Sequence, residues 1–142
     1  MLKTLLTLLM CGCVLLTEAP VSAQDEPEVD CGNAMTQMEM TYCAEQDFAE
    51  ADQQLNAQYK LTRDAMKDWD SEADGLDLGS AANALLASQR AWLAFRDAQC
   101  AFHGYQARGG TMEPMLIYGC QAELTRQRTQ QLKEQTDLMG GN

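Results

Sequence analysis

Residues 36–69 read TQMEMTYCAEQDFAEADQQLNAQYKLTRDAMKDW, and this stretch decides the fold. It opens on Thr36-Gln37-Met38-Glu39, a capping box in which the Thr36 hydroxyl and the Glu39 carboxylate can satisfy otherwise orphan backbone donors. Phe48, Leu55, Tyr59, Met66 and Trp69, with Ala51 and Thr62 between them, then recur at spacings of three and four. That period places them on one side of a helix from Thr36 to Trp69, about 50 Å long, with room for a bend or an early end.

Asp70-Ser71-Glu72-Ala73-Asp74-Gly75 follows, acidic and turn-rich, so the chain is expected to reverse here, with Leu76 and Leu78 against the end of the hairpin. A second helix should start around Ser80. Leu85, Leu86, Trp92, Leu93, Phe95 and Cys100 form its apolar stripe, with Gln89 and Arg96 on the same side as Trp92. An Arg beside a buried Trp must bring its guanidinium to a carboxylate or to carbonyls, because an unpaired buried charge costs several kcal/mol. Asp52 and Asp47 on the facing helix are the candidate partners. Arg108-Gly109-Gly110 marks a loop, and Thr111-Met112-Glu113-Pro114 starts a third helix, Pro being tolerated where the first amides have no internal acceptor. Met115, Leu116, Ile117, Cys120, Leu124 and Leu132 supply its apolar side. No sustained alternating run argues for a sheet, so the expected fold is all-α: a small disulfide-linked bundle of about three helices with a long antiparallel hairpin.

Outward from this core, the amino terminus carries Lys3, an apolar run from Leu5 to Leu16 and the small-residue ending Val21-Ser22-Ala23, the pattern of a secretory signal cleaved after Ala23. The run covers about 12 residues where a bilayer core needs roughly 20, so no transmembrane anchor is expected after cleavage. Cys13 after Gly12 offers a competing lipid-attachment site, although Met10 and Cys11 fit that signal poorly. The chain thus divides into a signal peptide (1–23), a mobile acidic leader with the first cysteine (24–35), a helical domain (36–137) and a frayed carboxyl terminus (138–142). Periplasmic or secreted localisation follows.

The net charge is −11, and it stays there after cleavage because Lys3 and Glu18 leave together. Nucleic acid is thereby disfavoured as a partner, since phosphate recognition rests on clustered Lys and Arg. A cationic macromolecule would be attracted instead. Candidate partner-binding carboxylates are Glu45, Asp47, Glu50 and Asp52 on the first helix and Asp70, Glu72, Asp74 and Asp77 at the turn.

Cys31, Cys43, Cys100 and Cys120 remain after cleavage, an even number that argues for two bridges in an exported chain. Three pairings are open. With the first two helices antiparallel, Cys43 lies 27 residues before the turn and Cys100 lies 21 after it. If a slanted turn absorbs the offset of about 9 Å, Cys43 pairs with Cys100, leaving Cys31 to pair with Cys120.

No catalytic, metal or cofactor chemistry is indicated. His103 is the sole imidazole and reads as a surface residue near a helix end, there is no Gly-x-Ser-x-Gly turn, and the carboxylates are spread around a helix rather than enclosed in a cleft. The spacing of the cysteines fits no zinc pattern. Met35, Met38 and Met40 could in principle attract Cu(I), but without a nearby His they read as packing or surface residues. The acidic turn lacks the ligand order of a calcium loop.

Two separated motifs carry a resemblance. Cys31, Thr36 to Met40, Cys43-Ala44, Ala51-Asp52, Leu55-Asn56 and Tyr59, followed by Gln89-Arg90-Ala91-Trp92, Phe95-Arg96-Asp97 and Cys100, resemble the bacterial exported domain called lysozyme inhibitor LprI-like, over about residues 31–125. The usual Asn after the Met-rich segment is replaced here by Thr41-Tyr42. The resemblance implies a small helical, disulfide-bonded envelope domain and a basic lysozyme-type partner. Carried onto this chain, its motif positions are Asp52, Asn56, Gln89, Trp92, Arg96, Asp97 and Cys100, which read as architecture: Trp92 in the helix seam, Arg96 paired, Asn56 and Gln89 bridging helices. The functional expectation is an exported acidic binding protein that occludes the groove of a lysozyme-type muramidase. The alternative is an envelope structural or interaction protein without such inhibition.

Overall fold

Among the described residues three helices and one short turn of 3-10 helix follow one another: α1 (Gln37–Glu72), α2 (Ala81–Gly104), the turn Tyr105–Ala107, and α3 (Glu113–Gly140). A computed structural model of the chain describes residues 29–73 and 79–140. Residues 1–28, which hold the expected signal and part of the expected leader, residues 74–78 with Asp74, Leu76, Asp77 and Leu78, and residues 141–142 lie outside the described residues.

The starts of α1 and α2 follow from their sequences. Thr36 Oγ1 accepts from the Glu39 amide at 3.2 Å, while the Glu39 carboxylate accepts from the amides of Thr36 at 2.8 Å and Met35 at 3.0 Å. The expected capping box is therefore present. Those amides hold the Glu39 carboxyl below its ordinary range, the Thr36 amide contributing most. At α2, Gly79 takes a positive φ of 72°, which delivers Ser80 as the cap, and Ser80 Oγ accepts from the Asn83 amide at 3.1 Å. α1 is continuous through Trp69 to Glu72.

The bundle runs up, down, up. Asp52 meets Arg96 and Asp70 meets Ser80, so α2 is antiparallel to α1. Gln37 meets Met115 and Thr62 meets Thr136, so α3 lies parallel to α1. The antiparallel hairpin is present, yet the most extensive interface is the parallel one between α1 and α3. Small side chains allow that close approach: Ala51 and Thr62 of α1 and Ala122 and Thr125 of α3 are all fully or almost fully buried. Thr62 stays satisfied through the Gln58 carbonyl at 3.0 Å and Thr136 Oγ1 at 2.8 Å. Leu55, Met66, Leu85 and Leu132 form the apolar core, with Tyr59 and Trp92 packed against it.

The disulfides are Cys31–Cys43 and Cys100–Cys120, which corrects the expected Cys43–Cys100 and Cys31–Cys120. The reason is register. Asp52 stands level with Arg96, which puts Cys100 level with about residue 48, roughly 7 Å along α1 from Cys43. No slanted turn absorbs that offset. Instead the segment before α1 turns on Asp30, whose carboxylate accepts from the Gly32 amide at 2.9 Å and the Asn33 side chain at 2.6 Å. That turn brings Cys31 back onto α1, while buried Cys100 faces α3 directly.

Candidate functional site

At the level of Arg96 the three helices converge. Its side chain is only 9% exposed, and Nη1 donates to Asp52 Oδ1 of α1 at 3.1 Å and to Thr125 Oγ1 of α3 at 3.4 Å. Nε donates to Asp97 Oδ1 at 2.9 Å. The guanidinium also lies 5.0 Å from the centroid of the Phe48 ring and 5.3 Å from that of Trp92. Arg96 thus takes Asp52 of the two expected partners; Asp47 pairs with Arg126 instead.

The other motif residues divide between the seam and a single helix. Gln89 is buried and its Oε1 accepts from Arg128 Nε of α3 at 3.1 Å, which links α2 to α3. Trp92 lies between two guanidiniums, with that of Arg128 5.9 Å from its centroid. Asn56 does not bridge: it is exposed, and its amide donates to Asp52 Oδ2 at 2.9 Å within α1. It orients the carboxylate that receives Arg96.

Of the six candidate partner-binding acids among the described residues, Asp47, Glu50, Asp52 and Asp70 have internal work. Asp70 Oδ1 accepts from the Ala81 amide at 2.6 Å, and Oδ2 accepts from the Ser80 hydroxyl at 2.8 Å and the Ala82 amide at 3.1 Å. An acid at the end of α1 therefore caps α2 across the connection, and those donors, the Ala81 amide first, hold its carboxyl below the ordinary range. Asp47 and Asp52 are paired as above, and Glu50 accepts from Gln54. Glu72 is exposed at the end of α1. Asp74 and Asp77 lie outside the described residues.

Glu45 differs. It lines a groove of about 400 Å³ with Gln37, Met38, Thr41, Tyr42 and Thr111, at the end of the bundle fixed by Cys31–Cys43. Its Oε1 accepts from the Tyr118 hydroxyl at 3.4 Å, and Tyr118 stacks on Phe48 with centroids 6.3 Å apart. Burial, then the Glu45 charge and this bond, push the Tyr118 hydroxyl above its ordinary pKa. Met38 is 83% exposed and Tyr42 is also exposed, so apolar surface stands beside a carboxylate. Gln37 Nε2, 3.5 Å from Met115 Sδ, ties the groove to the start of α3. Sequence reasoning named Glu45 but not Tyr42 or Thr111 as lining this groove, since only the fold brings the loop before α3 beside the first turns of α1.

A second groove, also about 400 Å³, opens between α2 and α3 over Met66, Leu85 and Leu132. Arg128 stands at its side, donating to Ser88 Oγ at 2.9 Å as well as to Gln89, and its burial lowers its pKa.

Among the described residues no three His, Cys, Asp or Glu side chains gather as a metal site. His103 is exposed at the end of α2 beside Gln106. None of the described helices is long and apolar enough to cross a membrane. The fold and site define a disulfide-clamped helical scaffold whose surface features suit binding.

The chain belongs to the family described as Lysozyme inhibitor LprI, whose match covers residues 30–132. The family is one of inhibitors rather than enzymes. An uncharacterized protein of Rhizobium meliloti (strain 1021) is 49% identical over 131 residues, covering 91% of this chain and 90% of the relative. No solved structure matches the chain.

Proposed function

We propose that the protein, exported by removal of residues 1–23, inhibits a lysozyme-type muramidase in the bacterial envelope by seating its disulfide-clamped end on the enzyme's substrate groove. Family membership supports the inhibitory role. The observation that carries the choice of surface is the pairing of exposed Met38 and Tyr42 with Glu45 on a backbone held by Cys31–Cys43. Apolar anchors on a rigid base supply affinity, because little conformational freedom is lost on docking. The net charge of −11 speeds encounter with a basic enzyme and orients it.

Turbidity loss of a cell-wall suspension, followed with a basic lysozyme and the oxidised mature protein, tests this. Inhibition should saturate near one-to-one and persist at raised salt, where a charge-matched acidic control protein fails. Met38→Glu should weaken it on the order of tenfold or more, as expected for an anchor residue. Full enzyme activity at a large excess of protein would exclude the reading.

A further inference from the structure

We propose that the outward face of α2 is a self-complementary surface through which two copies of this chain pair antiparallel, about a twofold axis passing beside Ala94 and Phe95. The inward face of α2 is occupied by Leu85, Gln89, Arg96, Cys100 and Gly104, all buried. Half a turn away lie Ala87, Ala91, Ala94, Phe95, Ala98 and Phe102, every one exposed and none charged. Phe95 is 55% and Phe102 70% exposed. In a chain of net charge −11 this uncharged strip is where two copies can approach without opposing carboxylates.

The order of residues along the strip commits it to a second copy. Turning the helix end for end about Ala94 and Phe95 sets Ala87 against Phe102, Ala91 against Ala98, and Ala94 against Phe95. Each large side chain then meets a small one, as interdigitated helix packing requires, and the same patch serves on both sides, as a twofold interface demands. Charge repeats the pattern at one edge. Arg90 makes no ion pair among the described residues. Asp97 uses Oδ1 for both Arg96 and Gln121, with no bond from Oδ2 among the described residues. In the antiparallel register Arg90 falls about 3 Å along the axis from Asp97 of the second copy, and flanking positions on the same edge face each other in such pairs. Two reciprocal ion pairs result. A face of this length covers roughly 500 Å² per copy, near the lower bound for a specific interface, so pairing should depend on concentration. The inference is independent of muramidase inhibition.

Sedimentation equilibrium on the oxidised mature protein, from about 1 μM to about 500 μM, tests it in the range where such weak complexes assemble. The weight-average mass should climb from one chain toward two. Phe102→Glu and Ala91→Glu should each weaken association at least about tenfold, or 1.4 kcal/mol, with the helical circular dichroism and thermal midpoint of the parent retained. Gln53→Glu, an exposed change on α1, should leave association unaltered. Ala94→Cys should form a disulfide between copies under mild oxidation, because this position sits beside the axis; that readout does not depend on the glutamate variants folding. A single-chain mass throughout the concentration range would overturn the proposal. So would an association that neither glutamate variant weakens.

Discussion

Arg96 and Asp52, 44 residues apart in the chain, meet at 3.1 Å, and the same guanidinium nitrogen reaches Thr125 of α3. One side chain therefore fixes the relative height of all three helices. It does so by holding a charge that water reaches poorly, and removing it strands polar groups on two other helices.

Arg96→Ala should cost about 3 to 5 kcal/mol, the range for breaking a buried ion pair and losing the packing of its stem. Asp52→Asn should cost less, about 1 kcal/mol, because that carboxylate is partly exposed and water screens it. Chemical denaturation of both variants checks the order. Equal losses would contradict the geometry.

The sulfur connectivity makes a second prediction. Peptide mass mapping without reduction should recover Cys31 linked to Cys43 and Cys100 linked to Cys120. A double Cys100→Ser and Cys120→Ser chain should keep the first link intact and lose about 3 kcal/mol, the value for a closed loop of this size. Any recovered Cys43–Cys100 peptide would refute the register of α1 against α2.

Acid should loosen the connection between α1 and α2. The Asp70 carboxyl is held below its ordinary pKa by the Ala81 amide and its neighbours, so its contribution is complete above about pH 4, the ordinary Asp value, and is lost as pH falls through the lowered value. Asp70→Asn should lower the thermal midpoint at neutral pH, and the gap to the parent should close toward pH 2. A gap that stays constant with pH would show that the charge is irrelevant.

The parallel seam predicts intolerance of bulk. Ala122, 1% exposed against α1, leaves no room for a larger side chain, so Ala122→Leu should cost about 1 to 3 kcal/mol through overpacking. Ala98→Leu, an exposed change on α2, should be nearly neutral for the stability of a single chain. Thermal unfolding of both at low protein concentration separates the two sites.

Helix identity was legible because Thr36, Ser80 and the period of Leu55, Tyr59 and Met66 are local signals. The need of Arg96 for a carboxylate was legible too, since burial of a charge imposes it. What escaped was the dominance of the α1–α3 seam, which is lined by Ala51, Thr62, Ala122 and Thr125. Small and hydroxylated residues leave no strong apolar period, so they announce a close helix approach only once the helices are placed. Disulfide pairing escaped because it turns on a register difference of about one helical turn and a half. The internal duties of Asp47 and Asp70 were hidden for the same reason, their partners being 79 and 11 residues away.

Among the described residues each cysteine bonds to its neighbour in the sequence, Cys31 to Cys43 and Cys100 to Cys120. A polypeptide threaded amino end first into an oxidising compartment meets each correct thiol in order of arrival. The first link can close while α2 and α3 are still in transit, and the second needs no earlier bond undone. If the chain is exported as proposed, it needs an oxidant but no enzyme that reshuffles mispaired sulfurs.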